Sequence, residues 1–252
     1  MKIQNKKLTI RFYEELNDFL PKSYRKKRFV HNFIDRASVK DLIESLGVPH
    51  TEVDLILING KSVSFDKLIS DNDDISVYPV FESFDIKSAQ HLRAKPLRKT
   101  KFVCDVHLGG LVTNLRMLGI DAFYKNDLTD KLIVDVSIKE RRTILTRDLG
   151  ILKRKEVTHG YFVRETNPEK QTLEVLKRFQ LENEIRPFTR CLECGEKLYH
   201  IAKSKIMDRL PVKVKQNQNK FYICKKCNKI FWKGSHYDNM RSFIKSSLKL
   251  DI

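Results

Sequence analysis

Apolar and polar residues alternate through Lys7-Leu8-Thr9-Ile10-Arg11-Phe12, the period of a half-buried strand, and again near 29–33. From 38 to 47 the apolar residues shift to helical spacing, with Ser38 as the cap and Gly47 as the stop. A strand at 53–58 runs into Asn59-Gly60, a strong tight-turn signal, before a return strand at 61–65. Polar Asp71-Asn72-Asp73-Asp74 then precedes a last strand, 75–80. A charged, proline-containing stretch, 83–101, reads as a joint between domains. Beyond it, strands and helices alternate. A short strand at 102–105 leads into a helix with apolar residues at 108, 111, 112, 115 and 118. A strand at 122–124 follows, then a helix capped by Thr129 with apolar residues at 132, 133 and 136. Residues 143–146 form a buried strand and 159–163 another, and Asn167-Pro168 opens a helix over 169–181. The alternation predicts right-handed crossovers and a mainly parallel sheet, an α/β core. A final helix is expected over 236–248.

Charge divides the chain at the same joint. Residues 1–86 carry a net charge of −1 and residues 87–252 a net of +18. A polyanion, most simply nucleic acid, matches that asymmetry, because basic groups gain by releasing phosphate counterions. At 252 residues with 41% hydrophobic content, the chain is long enough for two or three folded cores. No apolar run reaches the ~18 residues of a membrane span, and residues 1–20 lack a signal-peptide core. The expected setting is cytoplasmic, with no membrane partner.

Four of the five cysteines form two CxxC pairs, Cys191/Cys194 and Cys224/Cys227. In a reducing compartment such pairs bind metal, and two of them supply a closed, structural Cys₄ zinc site. The 29 residues between Cys194 and Cys224 exceed the compact spacing, which predicts an extended hairpin. That insertion is rich in lysine and carries Phe221 and Tyr222, a composition able to bind single-stranded RNA by charge and stacking. The same aromatics could instead pack the ribbon core. Cys104 reads as a small core residue.

Three aspartates bear chemistry. Asp105 follows a strand, Asp130 lies in the first turn of a helix, and Asp148 ends a strand. Singly, each reads as a cap or first-turn carboxylate. Together they change meaning, because parallel strands 102–105 and 143–146 deliver Asp105 and Asp148 to one carboxyl edge. Carboxylates converging there repel unless a cation lies between them, and all-oxygen ligation favours Mg²⁺ or Mn²⁺.

Two resemblances extend this reading. The N-terminal order of strands, helix and hairpin, with Ile58-Asn59-Gly60 and Asp73-Asp74-Ile75-Ser76-Val77-Tyr78-Pro79-Val80, resembles the ubiquitin-like β-grasp group. No free Gly-Gly end follows Phe81-Glu82-Ser83, so carrier chemistry is not expected; a docking or regulatory module with a protein partner is. The second resemblance rests on Asp105, Leu108-Gly109-x-Leu111, Leu115-Arg116-x-Leu118-Gly119-x-Asp121, Thr129-Asp130, Ile144-Leu145-Thr146-Arg147-Asp148 and Trp232-Lys233-Gly234-Ser235-His236. These are similar to the PIN-like ribonucleases of the branch named for the C-terminal domain of the mutator exonuclease Mut-7. That branch joins a PIN-like core to a zinc ribbon, often behind a ubiquitin-like module. The resemblance implies four segments: a β-grasp module at 1–84, a linker at 85–100, a PIN-like catalytic core at 101–186, and a zinc ribbon with the last helix at 187–252.

By position, the resemblance implies Asp105, Asp130 and Asp148 as the catalytic, Mg²⁺- or Mn²⁺-binding set. A fourth acid stays open among Asp121, Asp127 and Asp135, with Asp127 favoured. Arg116 and Arg147 are the expected phosphate contacts, and Thr146 would orient a carboxylate or water. Gly110 stands where a basic residue is expected. The implied reaction is metal-assisted hydrolysis of RNA phosphodiesters. The alternative is a non-catalytic RNA- or ribosome-binding zinc-ribbon protein.

Overall fold

The computed structural model describes residues 6–79 and 100–250, so the joint expected at 85–100 lies, apart from Thr100, outside the described residues. β1 (Lys6–Phe12) turns Leu8, Ile10 and Phe12 inward, as its alternation requires. It pairs antiparallel with β2 (Phe29–Phe33). α1 (Val39–Ser45) starts in a capping box, in which Ser38 accepts from the Asp41 N–H and Asp41 accepts from the Ser38 N–H. β3 (Val53–Ile58) and β4 (Lys61–Ser62) join through Asn59 and Gly60, both left-handed at φ 51° and 78°. Such a turn matches the twist of a two-residue hairpin. β4 stops at Ser62, short of the expected 61–65. β5 (Asp74–Pro79) completes a five-stranded sheet of order β2-β1-β5-β3-β4, with β1 and β5 parallel. Its inner face packs Val39, Leu42 and Ile43 of α1 into one apolar core.

The second stretch begins with β6 (Lys101–Cys104), whose Phe102, Val103 and Cys104 are fully buried. Strands buried on both faces read as continuous apolar runs. α2 (Gly109–Met117), β7 (Asp121–Phe123), α3 (Asp130–Glu140) and β8 (Thr143–Thr146) follow. β6 lies between β7 and β8 and is parallel to both. Gly119, at φ +86°, ends α2 where any Cβ would collide with the Arg186 carbonyl.

After β8 come α4 (Leu149–Leu152) and β9 (Gly160–Phe162), then α5 (Pro168–Arg178), capped by Asn167 with proline in its first turn. Packing divides the chain into two compact units. One holds Met1–Arg98 together with Asp148–Phe162; the other holds Lys99–Arg147 and Val163–Ile252.

The C-terminal part of the second unit is an antiparallel sheet of β10 (Leu198–Ile201), β11 (Phe221–Cys224) and β12 (Ile230–Trp232). β10 and β11 pair antiparallel, the hairpin expected between the two cysteine pairs, but the stretch that joins them is not an extended ribbon. It coils into helical turns and α6 (Val212–Asn217), and Ile206 and Leu210 fold back onto fully buried Phe221. Burying those side chains favours the coil over a solvated ribbon. α7 (Ser235–Ser246) closes the chain.

Candidate active site and metal centre

Asp105, 4% exposed, directly follows β6. Its N–H donates to the Leu145 carbonyl at 3.0 Å, tying it to the end of β8. Its side chain makes no cap hydrogen bond to the turn that follows, Val106–Leu108. Instead Oδ2 accepts from the Thr146 hydroxyl at 2.7 Å. Among the described residues, no basic side chain pairs with this carboxylate. A nearly buried carboxylate facing one neutral hydroxyl is costly unless a cation joins it. In this respect the donor set fits a hard, oxygen-seeking ion.

Asp130 occupies the first turn of α3 and is exposed, with Thr129 as the cap accepting from the Leu132 N–H at 3.4 Å. Asp148 belongs to the other unit. It is exposed and caps α4, Oδ1 accepting from the Gly150 N–H at 2.6 Å.

The phosphate role expected of Arg116 does not fit its surroundings. It is 3% exposed, and its guanidinium donates to the carbonyls of Ala122, Tyr124, Leu192 and Glu193. Arg116 therefore fastens the first cysteine loop to β7. Arg147 is half-buried, and its Nη1 donates to the carbonyls of Val163, Arg164 and Glu165. Asp121 is also committed elsewhere: Arg142 and Arg190 reach its two oxygens at 2.6 and 2.9 Å. That ion-paired triad argues against Asp121 as a fourth acid. Asp127 and Asp135 are exposed. Gly110 lies against Pro168, where an added Cβ would come within 2.8 Å of the proline ring, so no basic side chain fits there.

The four cysteines converge. One ligand atom from each of Cys191, Cys194, Cys224 and Cys227 lies within 4.8 Å of the others, a cluster able to hold a metal ion and consistent with zinc. Two matching loops deliver them. The Gly195 N–H donates to the Cys191 carbonyl at 2.9 Å, and the Asn228 N–H to the Cys224 carbonyl at 2.8 Å. Burial pushes the Cys191 thiol up to about 12; at Cys224 burial also raises the pKa, but the Cys227 and Lys226 N–H groups bring it down to about 7. Among the described residues, this is the one group of three or more ligating side chains gathered so closely.

Sequence reasoning did not find the pairing of Asp121 with Arg142 and Arg190, nor the burial of Arg116. Of the ribbon aromatics, Phe221 is core, while Tyr199 is exposed with Lys225 over its ring at 4.4 Å.

Comparison with known families agrees with this architecture. A family model described as the Mut7-C RNAse domain matches residues 100–244, and one described as Mut7-C ubiquitin matches residues 5–85. The first defines a nuclease-type domain and the second a ubiquitin-like module ahead of it. The chain belongs to the Mut7-C RNAse domain family, which the first match establishes over more than half its length. No curated protein and no solved structure gives a match. Among the described residues, no helix is long and apolar enough to cross a membrane.

Proposed function

We propose that this protein is a metal-dependent ribonuclease in which Asp105, Asp130 and Asp148 hold Mg²⁺ or Mn²⁺. The observation that carries this reading is Asp105, a nearly buried carboxylate at the carboxyl end of a central parallel strand, held by the Thr146 hydroxyl. Carboxyl edges of parallel strands are where α/β folds place their chemistry. A bound divalent ion would supply an activated water and offset charge on the scissile phosphate. The residues do the remainder. Thr146 fixes the rotamer of Asp105, so that its second oxygen has a defined direction. The net positive charge of residues 87–252 attracts the RNA backbone. The four cysteines hold a structural Zn²⁺, and Arg116 anchors their first loop to the α/β core. Thiols of this kind belong in a reducing, cytoplasmic compartment. The ubiquitin-like module is an expected site of protein interaction.

The deciding experiment is cleavage of labelled single-stranded and structured RNAs with Mg²⁺ or Mn²⁺, comparing wild type with Asp148→Asn at equal zinc content. Cleavage that is lost in the variant and in EDTA supports the reading. Tight RNA binding by both proteins without cleavage favours the non-catalytic alternative.

A further inference from the structure

The segment from Asp148 to Phe162 has little structure of its own: the four residues of α4 and the three of β9. Isolated helices shorter than roughly 12–15 residues are marginal in water, so α4 takes its order from the surface it rests on. Within its unit, the segment's polar partners lie in the ubiquitin-like module.

The attachment is polar, buried and directional. His50, 6% exposed, donates through Nε2 to the Val157 carbonyl at 2.7 Å, and its Nδ1 faces Glu44 Oε1 at 2.6 Å. A carbonyl only accepts, so the ring carries a proton on Nε2. At the C-terminal end of α4, Lys153 Nζ donates to the Glu44 carbonyl at 2.9 Å. Glu52, 1% exposed, accepts the Phe162 N–H at 2.6 Å. Phe19 meets Phe162 edge-on, with centroids 5.6 Å apart. Gly160 leaves room for Leu152, whose methyl would collide with a Cβ at that position. The contacts with the module fall at 153, 157 and 162, from the end of α4 to the end of the segment. Apolar packing alone would hold it at less desolvation cost; buried histidine and glutamate fix its register as well. Asp148 stands at the head of the segment and caps the helix that Lys153 pins at its other end.

We propose that the ubiquitin-like module acts in cis as a positioning element for Asp148, with His50 as the principal positioning residue. The proposal rests on the nuclease reading, since it assigns Asp148 to the metal site. It gives the module a task inside the enzyme, separate from recruiting a partner.

The test uses the full chain and three readouts: hydrogen–deuterium exchange over 148–157, Mn²⁺ affinity by electron paramagnetic resonance, and RNA cleavage. His50→Ala removes the donor to Val157, whereas His50→Gln keeps an amide N–H near the place of Nε2. We expect His50→Ala to speed exchange, weaken Mn²⁺ binding and lower kcat on the order of ten-fold with KM unchanged, and His50→Gln to restore all three. Faster exchange with wild-type Mn²⁺ affinity and kcat overturns the proposal. A wild type that binds Mn²⁺ but cleaves no RNA removes the nuclease reading alone, and the variants' Mn²⁺ affinities then decide the positioning role. A wild type that binds no Mn²⁺ overturns both. Should His50→Ala not fold, Lys153→Met at the end of α4 is read in its place, with the same two outcomes.

Discussion

The cysteine cluster and the three aspartates of the proposed active site are built in opposite ways. The cysteines come from one local device used twice. In each loop the first cysteine's N–H donates five residues ahead, to the carbonyls of Glu196 and Lys229, and a left-handed residue, Gly195 or Asn228, closes the turn. The aspartates share no device. Asp105 is a buried strand end, Asp130 an exposed first-turn residue and Asp148 an exposed helix cap. A locally encoded metal site adds folding stability, whereas the aspartates contribute to the proposed chemistry only as far as the tertiary fold positions them.

Four experiments sharpen that contrast. The largest effect belongs to Asp105→Asn, which should lower kcat on the order of a thousand-fold, the scale of removing a main electrostatic group. Its denaturation midpoint should hold or rise, because the amide leaves no charge to bury. Wild-type cleavage by this variant would take Asp105 out of the site. Cys224→Ser should act in the reverse sense: bound zinc is lost, and the thermal midpoint falls with the unfolding of β10–β12. Unchanged melting would make the cluster dispensable. Arg116→Ala should destabilise by about 3 kcal/mol in urea unfolding, by orphaning buried carbonyls, and leave KM for RNA unchanged in the folded protein. A raised KM at unchanged stability would restore the phosphate role. The smallest effect is that of Thr146→Val, roughly ten-fold in kcat, with Thr146→Ser near wild type. Equal loss in both variants would mean that the hydroxyl does not orient Asp105.

Much of the fold was legible because local signals agreed with one another. The Ser38 capping box, the Asn59-Gly60 turn and the Asn167-Pro168 start each appear where their chemistry requires. The hairpin of the ribbon insertion was legible but its helical coil was not, because loop length says nothing of Ile206 and Leu210 returning to Phe221. Arg116 was misread for a related reason. Helical spacing places it on α2, but only the tertiary fold brings the carbonyls of Leu192 and Glu193 to it. The triad of Asp121, Arg142 and Arg190 likewise joins residues 21 and 69 positions apart. Spacing rules do not reach that far.

The family boundary near residue 100 and the packing boundary do not coincide, since Asp148–Phe162 belongs to the unit of the N-terminal module. This limits modularity. A shortened chain starting at residue 100 would keep every residue of the matched nuclease domain, yet leave the Val157 carbonyl and the Phe162 ring without His50 and Phe19 of the module. A nuclease domain that shed this module would have to rebuild the segment after Asp148 to stand alone.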